Sequence, residues 1–333
     1  MITDLAVVVA RNQADAEDYG LLGLSRFNMK DYKSAVEELT NAIEGGNQNV
    51  DVLKARGFAF LELKEYEKSI PDFSVAIDKG VKDALVFAGR GTAKYFTKDF
   101  AGALPDLDKA IQQGLNDATL YDMRGYCKYE AKNFAGSIAD FTQAIERDSK
   151  LSVAYFHRGD AQYCEGKWGF AVDDYTQAIA QGVKDPILYN NRGKAHLEQQ
   201  SYNEAIADFS QAIRLNAQYA KAFENRGRTY FKMEKYTEAS KDLRAAEKLI
   251  EKPEADLYRL LADSYFNAKN YVVSLEYFDK LISGGYTDKE VYYRRGRVLI
   301  ETESYKAAIK DFDAAQKAGE NTLQLFLDKA KAY

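Results

Sequence analysis

The chain has 333 residues, a net charge of −5 and a sequence pI of about 5.4, with two cysteines and two histidines. An acidic chain is a poor generic ligand for nucleic acid or anionic membranes, and two cysteines provide no disulfide framework. No apolar run approaches the roughly 20 residues that a membrane-spanning helix needs. We therefore expect a cytoplasmic protein that binds neither nucleic acid nor the membrane interior.

The sequence repeats itself with a period of 34 residues. Segment 158–179 reads RGDAQYCEGKWGFAVDDYTQAI, and segment 192–213 reads RGKAHLEQQSYNEAIADFSQAI. A glycine recurs in step with them at positions 23, 57, 91, 125, 159, 193, 227 and 296, and Ala262 takes its place once. The one longer step, 35 residues from Gly227 to Ala262, contains Pro253. A fixed period of this length is typical of a repeat array rather than of one globular core.

Placing the recurring glycine at position 8 of a 34-residue frame gives nine repeats over residues 16–322. Large side chains recur at positions 4, 17 and 24, and small ones at positions 8, 20 and 27, in two runs of helical spacing. Each repeat is therefore predicted to be an antiparallel helix pair, and the fold to be an all-α solenoid. The repeats begin at Ala16, Val50, Ala84, Ala118, Ser152, Pro186, Ala220, Ala255 and Lys289.

Incomplete units flank this array. Residues 1–15 fit the second helix of a preceding repeat, and residues 323–333 fit the first helix of a following one. These segments are either capping helices or the ends of a piece cut from a longer protein. Leu323, Phe326 and Leu327 are not the polar surface that a solenoid cap usually presents.

The frame resembles the tetratricopeptide repeat, with an aromatic at position 4, glycine at 8, an aromatic at 17, alanine at 20, phenylalanine at 24 and alanine at 27. The resemblance covers nearly the whole chain. It implies a right-handed superhelix of antiparallel helix pairs, with a groove lined by the first helix of each pair. The family's proline at position 32 is missing, and glycines at position 31, such as Gly46, are predicted to end the second helices instead. The aspartates predicted to cap the following first helices are Asp83, Asp117, Asp185 and Asp288.

Prolines interrupt two of the predicted second helices. Pro71 and Pro105 lie at position 22 of repeats two and three. Because proline lacks a backbone donor, we expect these two helices to be kinked or delayed.

Arginine at position 7 and aspartate at position 23 occur together. Seven repeats have both residues, whereas repeat eight has Leu261 and Tyr277. We therefore predict a buried, structural ion pair between the two helices of each of these repeats. Pairing between neighbouring repeats fits less well, because Asp242 would then face Leu261. The predicted partners are Arg56 with Asp72, Arg90 with Asp106, Arg124 with Asp140, Arg158 with Asp174, Arg192 with Asp208, Arg226 with Asp242, and Arg295 with Asp311.

The sequence offers no catalytic motif. The two histidines, His157 and His196, lie in different repeats, so neither a catalytic triad nor a metal-ligand cluster can be assembled around them. Gly89-Arg90-Gly91 is not a phosphate-binding loop, because Gly91 is a packing glycine and no strand precedes it. We expect no enzyme activity, no cofactor and no metal site.

The resemblance implies that positions 2, 5, 6, 9, 12 and 13 of the first helices line a binding groove. The clamp with which co-chaperones of this family grip acidic chaperone C-termini is incomplete, since Phe156, Asp160 and Asn225 replace three of its polar residues. Aromatic residues dominate the groove positions of repeats three to five, and basic residues those of repeats six to nine. The predicted groove residues are Tyr126, Phe156, His157, Asp160, Asn190, Asn191, Lys194, Lys221, Asn225 and Arg228.

The sequence thus predicts a scaffold or adaptor that binds a partner peptide or helix, centred on repeats four to seven. The ligand is expected to place an apolar anchor near Tyr126 and Phe156, and acidic groups toward Lys194, Arg228 and the C-terminal repeats. Two alternatives stay open. One is self-assembly into a homo-oligomer, and the other is a segment that targets an enzyme domain of a larger protein.

Overall fold

The computed structural model describes residues 14–333, which are helical apart from short connections and contain no strand. The predicted N-terminal partial repeat, residues 1–15, lies almost entirely outside the described residues. The helices are α1 (Ala16–Asn28), α2 (Tyr32–Glu44), α3 (Val50–Glu62), α4 (Tyr66–Asp78), α5 (Ala84–Phe96), α6 (Phe100–Gln112), α7 (Ala118–Glu130), α8 (Phe134–Arg147), α9 (Ser152–Cys164), α10 (Trp168–Ala180), α11 (Pro186–Glu198), α12 (Tyr202–Leu215), α13 (Ala220–Lys232), α14 (Tyr236–Leu249), α15 (Ala255–Asn267), α16 (Tyr271–Ser283), α17 (Lys289–Glu301), α18 (Tyr305–Lys317) and α19 (Leu323–Ala332).

Odd-numbered helices are the first helices of the repeats, and even-numbered helices are the second. Each first helix begins at the residue that opens its repeat in the 34-residue frame, from Ala16 to Lys289, and α19 begins at Leu323. The chain divides into two compact units, one ending at Lys167 and one formed by Trp168–Tyr333. Within each unit, a first helix packs against the second helix before it and the second helix after it.

Side-chain caps and glycine turns set the helix ends. The carboxylate of Asp83 accepts a hydrogen bond from the backbone N–H of Leu85 at 2.9 Å, and the predicted caps Asp117, Asp185 and Asp288 do the same for their helices. Position-31 glycines such as Gly46, with φ of +94°, end second helices in the left-handed region, as predicted.

The turn between the two helices of a repeat also needs a left-handed residue. Position 15 has φ between +57° and +64° at Lys30, Lys98 and six other lysine, glutamine or glutamate residues, and +72° at Gly166. Long polar side chains seldom adopt this conformation, so the sequence did not indicate it. The backbone N–H of the following residue, Asp99 in repeat three, bonds back to the helix at the carbonyl of Lys94, at 2.9 Å.

Pro71 and Pro105 do not delay their helices. The second helices α4 and α6 each run for 13 residues, as does α2, which has no proline. The expected kink stays a prediction, but the expected delay was wrong, because each proline is only the sixth residue of its helix. It therefore removes a single bond, to a carbonyl in the first turn.

The core of each repeat is built from small residues that face one large ring or leucine. In repeat six, Ala205, Phe209 and Ala212 are fully buried. A Cβ atom added to Gly193 would lie 2.7 Å from the Phe209 ring, so position 8 has no room for a side chain. Cys127 is a buried, small core residue, as expected from its place in the frame.

The position-7 arginines form two-pronged hydrogen bonds with the position-23 aspartates. In repeat six, Arg192 Nε donates to Asp208 Oδ2 at 2.8 Å, and Nη2 donates to Oδ1 at 2.7 Å. The same geometry joins Arg56 to Asp72, Arg90 to Asp106, Arg124 to Asp140, Arg226 to Asp242, and Arg295 to Asp311. All of these aspartates are buried. The seventh pair, Arg158 with Asp174, would join residues of different units and stays a prediction.

Each position-7 arginine also donates a hydrogen bond to the preceding repeat. The sequence did not indicate this contact. Arg192 Nη1 donates to the hydroxyl of Thr176 at 3.0 Å, and Arg124 Nη1 pairs with Asp108 at 3.0 Å. The acceptor is always position 25 of the repeat before. The acceptors are Thr40, Ser74, Asp108, Thr142, Thr176, Ser210 and Asp279. One guanidinium therefore ties together three helices from two repeats.

Repeat eight shows how this link is replaced. Position 25 of repeat seven is Arg244, which cannot accept a hydrogen bond, and repeat eight accordingly has Leu261 at position 7. Leu261 is fully buried, and the Tyr277 hydroxyl, at position 23, donates to Glu247 of repeat seven at 2.6 Å. An apolar pair with a tyrosine hydroxyl thus substitutes for the ion pair.

We predict that breaking one ion pair is costly and that replacing it is not. Arg192→Leu leaves the carboxylate of Asp208 buried without its main partner, so unfolding free energy should fall by about 3–5 kcal/mol. Arg192→Leu/Asp208→Tyr copies repeat eight and should recover most of that loss. Urea unfolding, followed by circular dichroism, compares the two variants.

The matched control for this comparison is Thr176→Ala. It removes the third hydrogen bond of Arg192, together with the hydroxyl's own bond to the Val172 carbonyl, and leaves the ion pair with Asp208 in place, so it should cost about 0.5–1.5 kcal/mol. The buried-pair interpretation is wrong if Arg192→Leu unfolds at the same urea concentration as wild type.

Candidate partner-binding surface

Aromatic rings form a chain of contacts along the first helices of the first unit. Phe96 packs edge-on against Tyr95, with ring centroids 5.4 Å apart, and Tyr95 contacts Tyr126 at 5.7 Å. Tyr126 contacts His157 at 4.8 Å, and His157 contacts Phe156 at 6.1 Å. The chain crosses α5, α7 and α9, one repeat after another. We call Tyr95, Phe96, Tyr126, Tyr129, Phe156 and His157 the aromatic surface.

Rings at the start of the second helices pack against the aromatic surface. Phe100, the first residue of α6, lies 5.7 Å from Tyr95 and 5.4 Å from Tyr126, and Phe134 opens α8 at 5.6 Å from Tyr129. Such tilted and edge-on pairs hold their partners in defined orientations. The aromatic surface is therefore preorganised by position 17 of its own repeats.

His157 is anchored to a buried carboxylate. Its Nδ1 atom lies 2.9 Å from Oδ1 of Asp122, at position 5 of the preceding repeat. Asp122 is only 4 % exposed, so the contact orients the imidazole rather than exposing an acid to solvent. His157 also packs against Phe141, a fully buried core ring. Of the predicted groove residues, Tyr126, Phe156, His157 and Asp160 thus lie together on α7 and α9.

Burial holds the tyrosines of the aromatic surface in their neutral form. Burial is the main cause that raises the pKa of Tyr126 to about 12, and Glu130 and Asp160 add to the rise. Burial likewise raises the pKa of Tyr95 and of Tyr129, with Asp160 contributing at Tyr129. These phenols therefore keep their protons across the physiological pH range.

In the second unit, two of the predicted groove amides, Asn190 and Asn225, bond to each other inside the protein. Asn225 Nδ2 donates to Asn190 Oδ1 at 2.9 Å, and Asn190 Nδ2 donates to Asn191 Oδ1 at 3.3 Å. Asn190 is 3 % and Asn225 7 % exposed. These two amides therefore join α11 to α13, and they do not present their polar atoms to a peptide backbone. Asn191 and Lys194 lie half-buried on α11.

Carboxylates neutralise two of the predicted basic groove residues of the second unit, Lys221 and Arg228. Lys221 pairs with Glu224 at 3.0 Å, and Arg228 pairs with Glu224 at 2.9 Å and with Asp256. The same pattern continues in the next repeats, where Arg259 pairs with Asp288, and Arg294 with Asp263 and Glu290. We call these residues the charge ladder. The acidic ligand groups that the sequence predicted would therefore have to compete with the protein's own carboxylates for these basic side chains.

A cavity of about 740 Å³ lies beside the charge ladder, between α13, α15, α16, α17 and α19. Phe231, Phe266 and Phe278 form its apolar wall, and Arg297 lies 5.3 Å from the centre of the Phe266 ring. Burial is the main cause that raises the pKa of Asp263, at its edge, to about 6, although Arg294 opposes the rise.

We predict that Asp263 makes stability depend on pH. Its folded-state pKa of about 6 lies above the unfolded value, so the folded chain binds the proton more tightly and loses stability as pH rises from about 4 to 6. Asp263→Asn removes this titration. The unfolding free energy of the variant minus that of wild type, both measured by urea unfolding, should rise by about 2 kcal/mol between pH 4.5 and pH 7. Glu303→Gln, in an exposed turn, is the control. If the unfolding free energies of Asp263→Asn and wild type differ by the same amount at both pH values, the raised pKa of Asp263 is wrong.

Among residues 14–333, no group of three or more histidine, cysteine, aspartate or glutamate side chains is arranged to hold a metal ion. No helix in this range combines the length and apolar character that crossing a bilayer requires.

Family models and solved structures agree on the repeat. Models described as TPR repeat and tetratricopeptide repeat match residues 195–234, 225–288 and 289–320. A tetratricopeptide repeat protein from Parabacteroides merdae superposes with a TM-score of 0.51 at 16 % identity, covering 75 % of this chain and 98 % of its own. PilF of Pseudomonas aeruginosa also gives 0.51, at 20 % identity, over 64 % and 97 % of the two chains. No curated protein sequence matches the chain.

These likenesses to solved structures concern the fold alone. They add to the helix pairs that begin every 34 residues and to the three matched stretches between residues 195 and 320. On this evidence the chain belongs to the tetratricopeptide repeat family.

Proposed function

We propose that the chain binds a segment of a partner protein on the aromatic surface of its first unit. Tetratricopeptide repeats are generally protein-interaction modules and typically serve as non-catalytic scaffolds. The proposal is that Tyr126 and Phe156 provide the apolar anchor site, as the sequence predicted, and that the ligand is an extended or helical peptide.

The observation that carries the proposal is the exposed ring of Phe96, on an aromatic surface whose rings contact one another from α5 to α9. Leu85 is 55 %, Phe96 47 % and Val153 37 % exposed, all on first helices of the first unit. Exposed apolar side chains beside other apolar groups are characteristic of protein-interaction sites. Tyrosine and phenylalanine supply large contact areas at low cost in side-chain entropy.

The charge ladder is a less favourable docking site than the aromatic surface. Its basic groups are already paired, so a ligand would have to replace existing ion pairs in order to bind them. An apolar side chain can pack on the exposed ring of Phe96 without replacing an ion pair. We therefore favour the first unit as the principal docking site.

Selection of a phage-displayed peptide library on the intact chain tests this proposal. Peptides that bind wild type should bind Tyr126→Ser/Phe156→Ser at least about tenfold more weakly, a loss of about 1.4 kcal/mol. Phe96→Ser, at a more exposed ring, should weaken binding without disturbing the fold, which circular dichroism checks. Val272→Ser is the control, because Val272 is 67 % exposed on α16, a second helix. Equal binding by all four proteins would refute the docking site.

We also propose self-association through α19 as a second candidate function. The buried side of α19 packs Leu325 against the core of repeat nine, but Leu323 is 75 %, Phe326 45 % and Leu327 49 % exposed. A second copy of the chain offers the same apolar face, so the two faces can cover one another.

Light scattering over a range of concentrations tests self-association. The molar mass should rise with concentration for wild type and stay at the monomer value for Phe326→Glu/Leu327→Lys. Val272→Glu, an equally exposed apolar site away from α19, should behave like wild type. A wild-type mass that stays monomeric at every concentration eliminates this candidate.

A further inference from the structure

Neighbouring first helices contact each other through the same two positions of the frame. In three places, the side chain at position 5 of one repeat is hydrogen-bonded to the side chain at position 6 of the next. The pairs are Asp122 with His157 at 2.9 Å, Asn190 with Asn225 at 2.9 Å, and Tyr293 with Asp328 at 3.0 Å. Positions 5 and 6 therefore form the contact between one first helix and the next.

The first and last of the described first helices each leave one half of this contact uncovered. Leu21 is at position 6 of α1 and is 53 % exposed, and Leu327 is at position 5 of α19 and is 49 % exposed. Within residues 14–333, no first helix precedes α1 and none follows α19. The chain thus presents two exposed leucines at positions that meet each other wherever two repeats are neighbours.

A second pair of positions at the same two helices is complementary in charge. Arg228, at position 9 of repeat seven, forms an ion pair with Asp256, at position 2 of repeat eight. In α19, position 9 is Lys331, whose side chain is 67 % exposed. It lies 3.5 Å from Asp328, which is longer than a usual N–H···O hydrogen bond. Position 2 of α1 is Glu17, which is exposed. Lysine and glutamate therefore stand where repeats seven and eight use arginine and aspartate.

We infer that copies of the chain join head to tail, with Leu327 and Lys331 of α19 in one copy against Leu21 and Glu17 of α1 in the next. This inference rests on the proposed self-association through α19, and it specifies α1 as the surface that α19 binds. Each junction continues the contact that joins neighbouring repeats within the chain. Because the two sides of the junction differ, every added copy leaves one side open, and growth is not limited to two copies.

The face of α19 that a second helix would cover is exposed as well. In repeat six, Gly193 at position 8 is buried against Phe209 of the second helix. In α19, Ala330 at position 8 and Phe326 at position 4 are both exposed. By sequence, residues 1–15 fit the second helix of a repeat that precedes α1. The inferred junction brings this segment of the next copy to the uncovered face of α19.

Cysteine cross-linking between copies tests the leucine contact. Cys164→Ser removes the exposed cysteine and leaves Cys127, which is buried. In this background, Leu21→Cys and Leu327→Cys are made as two separate proteins. A short bismaleimide reagent should join two chains in their mixture and in neither protein alone. In the control mixture, Val272→Cys replaces Leu327→Cys, because Val272 is 67 % exposed on α16, and no chains should be joined.

Charge reversal, followed by light scattering, tests the second pair. Glu17→Lys places two lysines at each junction, so the molar mass should rise less with concentration than it does for wild type. Glu17→Lys/Lys331→Glu restores opposite charges and should recover the rise. Glu303→Lys changes the net charge as much as Glu17→Lys does, in an exposed turn, and should behave like wild type. A double variant that associates no better than Glu17→Lys overturns the inferred register.

The remaining outcomes separate this inference from the proposed self-association. If Leu327→Cys is cross-linked alone and as strongly as in the mixture, α19 binds a second α19. The inference is then overturned, and self-association stands. A wild-type mass that rises while no mixture is cross-linked has the same meaning. A mass that stays at the monomer value overturns both.

Discussion

The structure depends on one guanidinium group in each of the repeats that have arginine at position 7. Arg192, like five other position-7 arginines, uses Nε and Nη2 to bind the aspartate of its own second helix, and Nη1 to bind a hydroxyl or carboxylate of the preceding repeat. Only arginine offers donors in a planar fork that can reach both groups at once. The helix pair and its stacking on the previous pair are therefore fixed by the same side chain. This accounts for the loss of arginine, aspartate and upstream acceptor together around repeat eight.

The ion pairs lie between helices, so they do not restrict the face of the first helices that carries the aromatic surface in one unit and the charge ladder in the other. This face can therefore differ between the units. In the first unit this face holds rings that contact one another from α5 to α9. In the second unit it holds the charge ladder, whose pairs join neighbouring first helices. One framework thus supports an apolar surface suited to docking and a polar surface that strengthens contacts between repeats.

The sequence was enough to predict what the 34-residue period controls. The starts of the first helices, the aspartate caps and the intra-repeat partners of Arg56 or Arg192 follow from position in the frame, because every repeat reports the same geometry. The period does not say which positions of adjacent first helices touch. His157 with Asp122, Asn225 with Asn190, and Tyr293 with Asp328 are each 35 residues apart, one more than the period. Because of this offset, two predicted groove amides, Asn190 and Asn225, are buried against each other. Other pairs across neighbouring repeats, 28 to 31 residues apart, neutralised Arg228, Arg259 and Arg294.

The most direct test of the docking surface is hydrogen–deuterium exchange of the intact chain, with and without a peptide selected for binding. Our account predicts that the peptide slows exchange in α7 (Ala118–Glu130) and α9 (Ser152–Cys164) and leaves α15 and α17 unchanged. Slower exchange confined to α15 and α17, or to the second helices, would contradict the account and move recognition away from the aromatic surface.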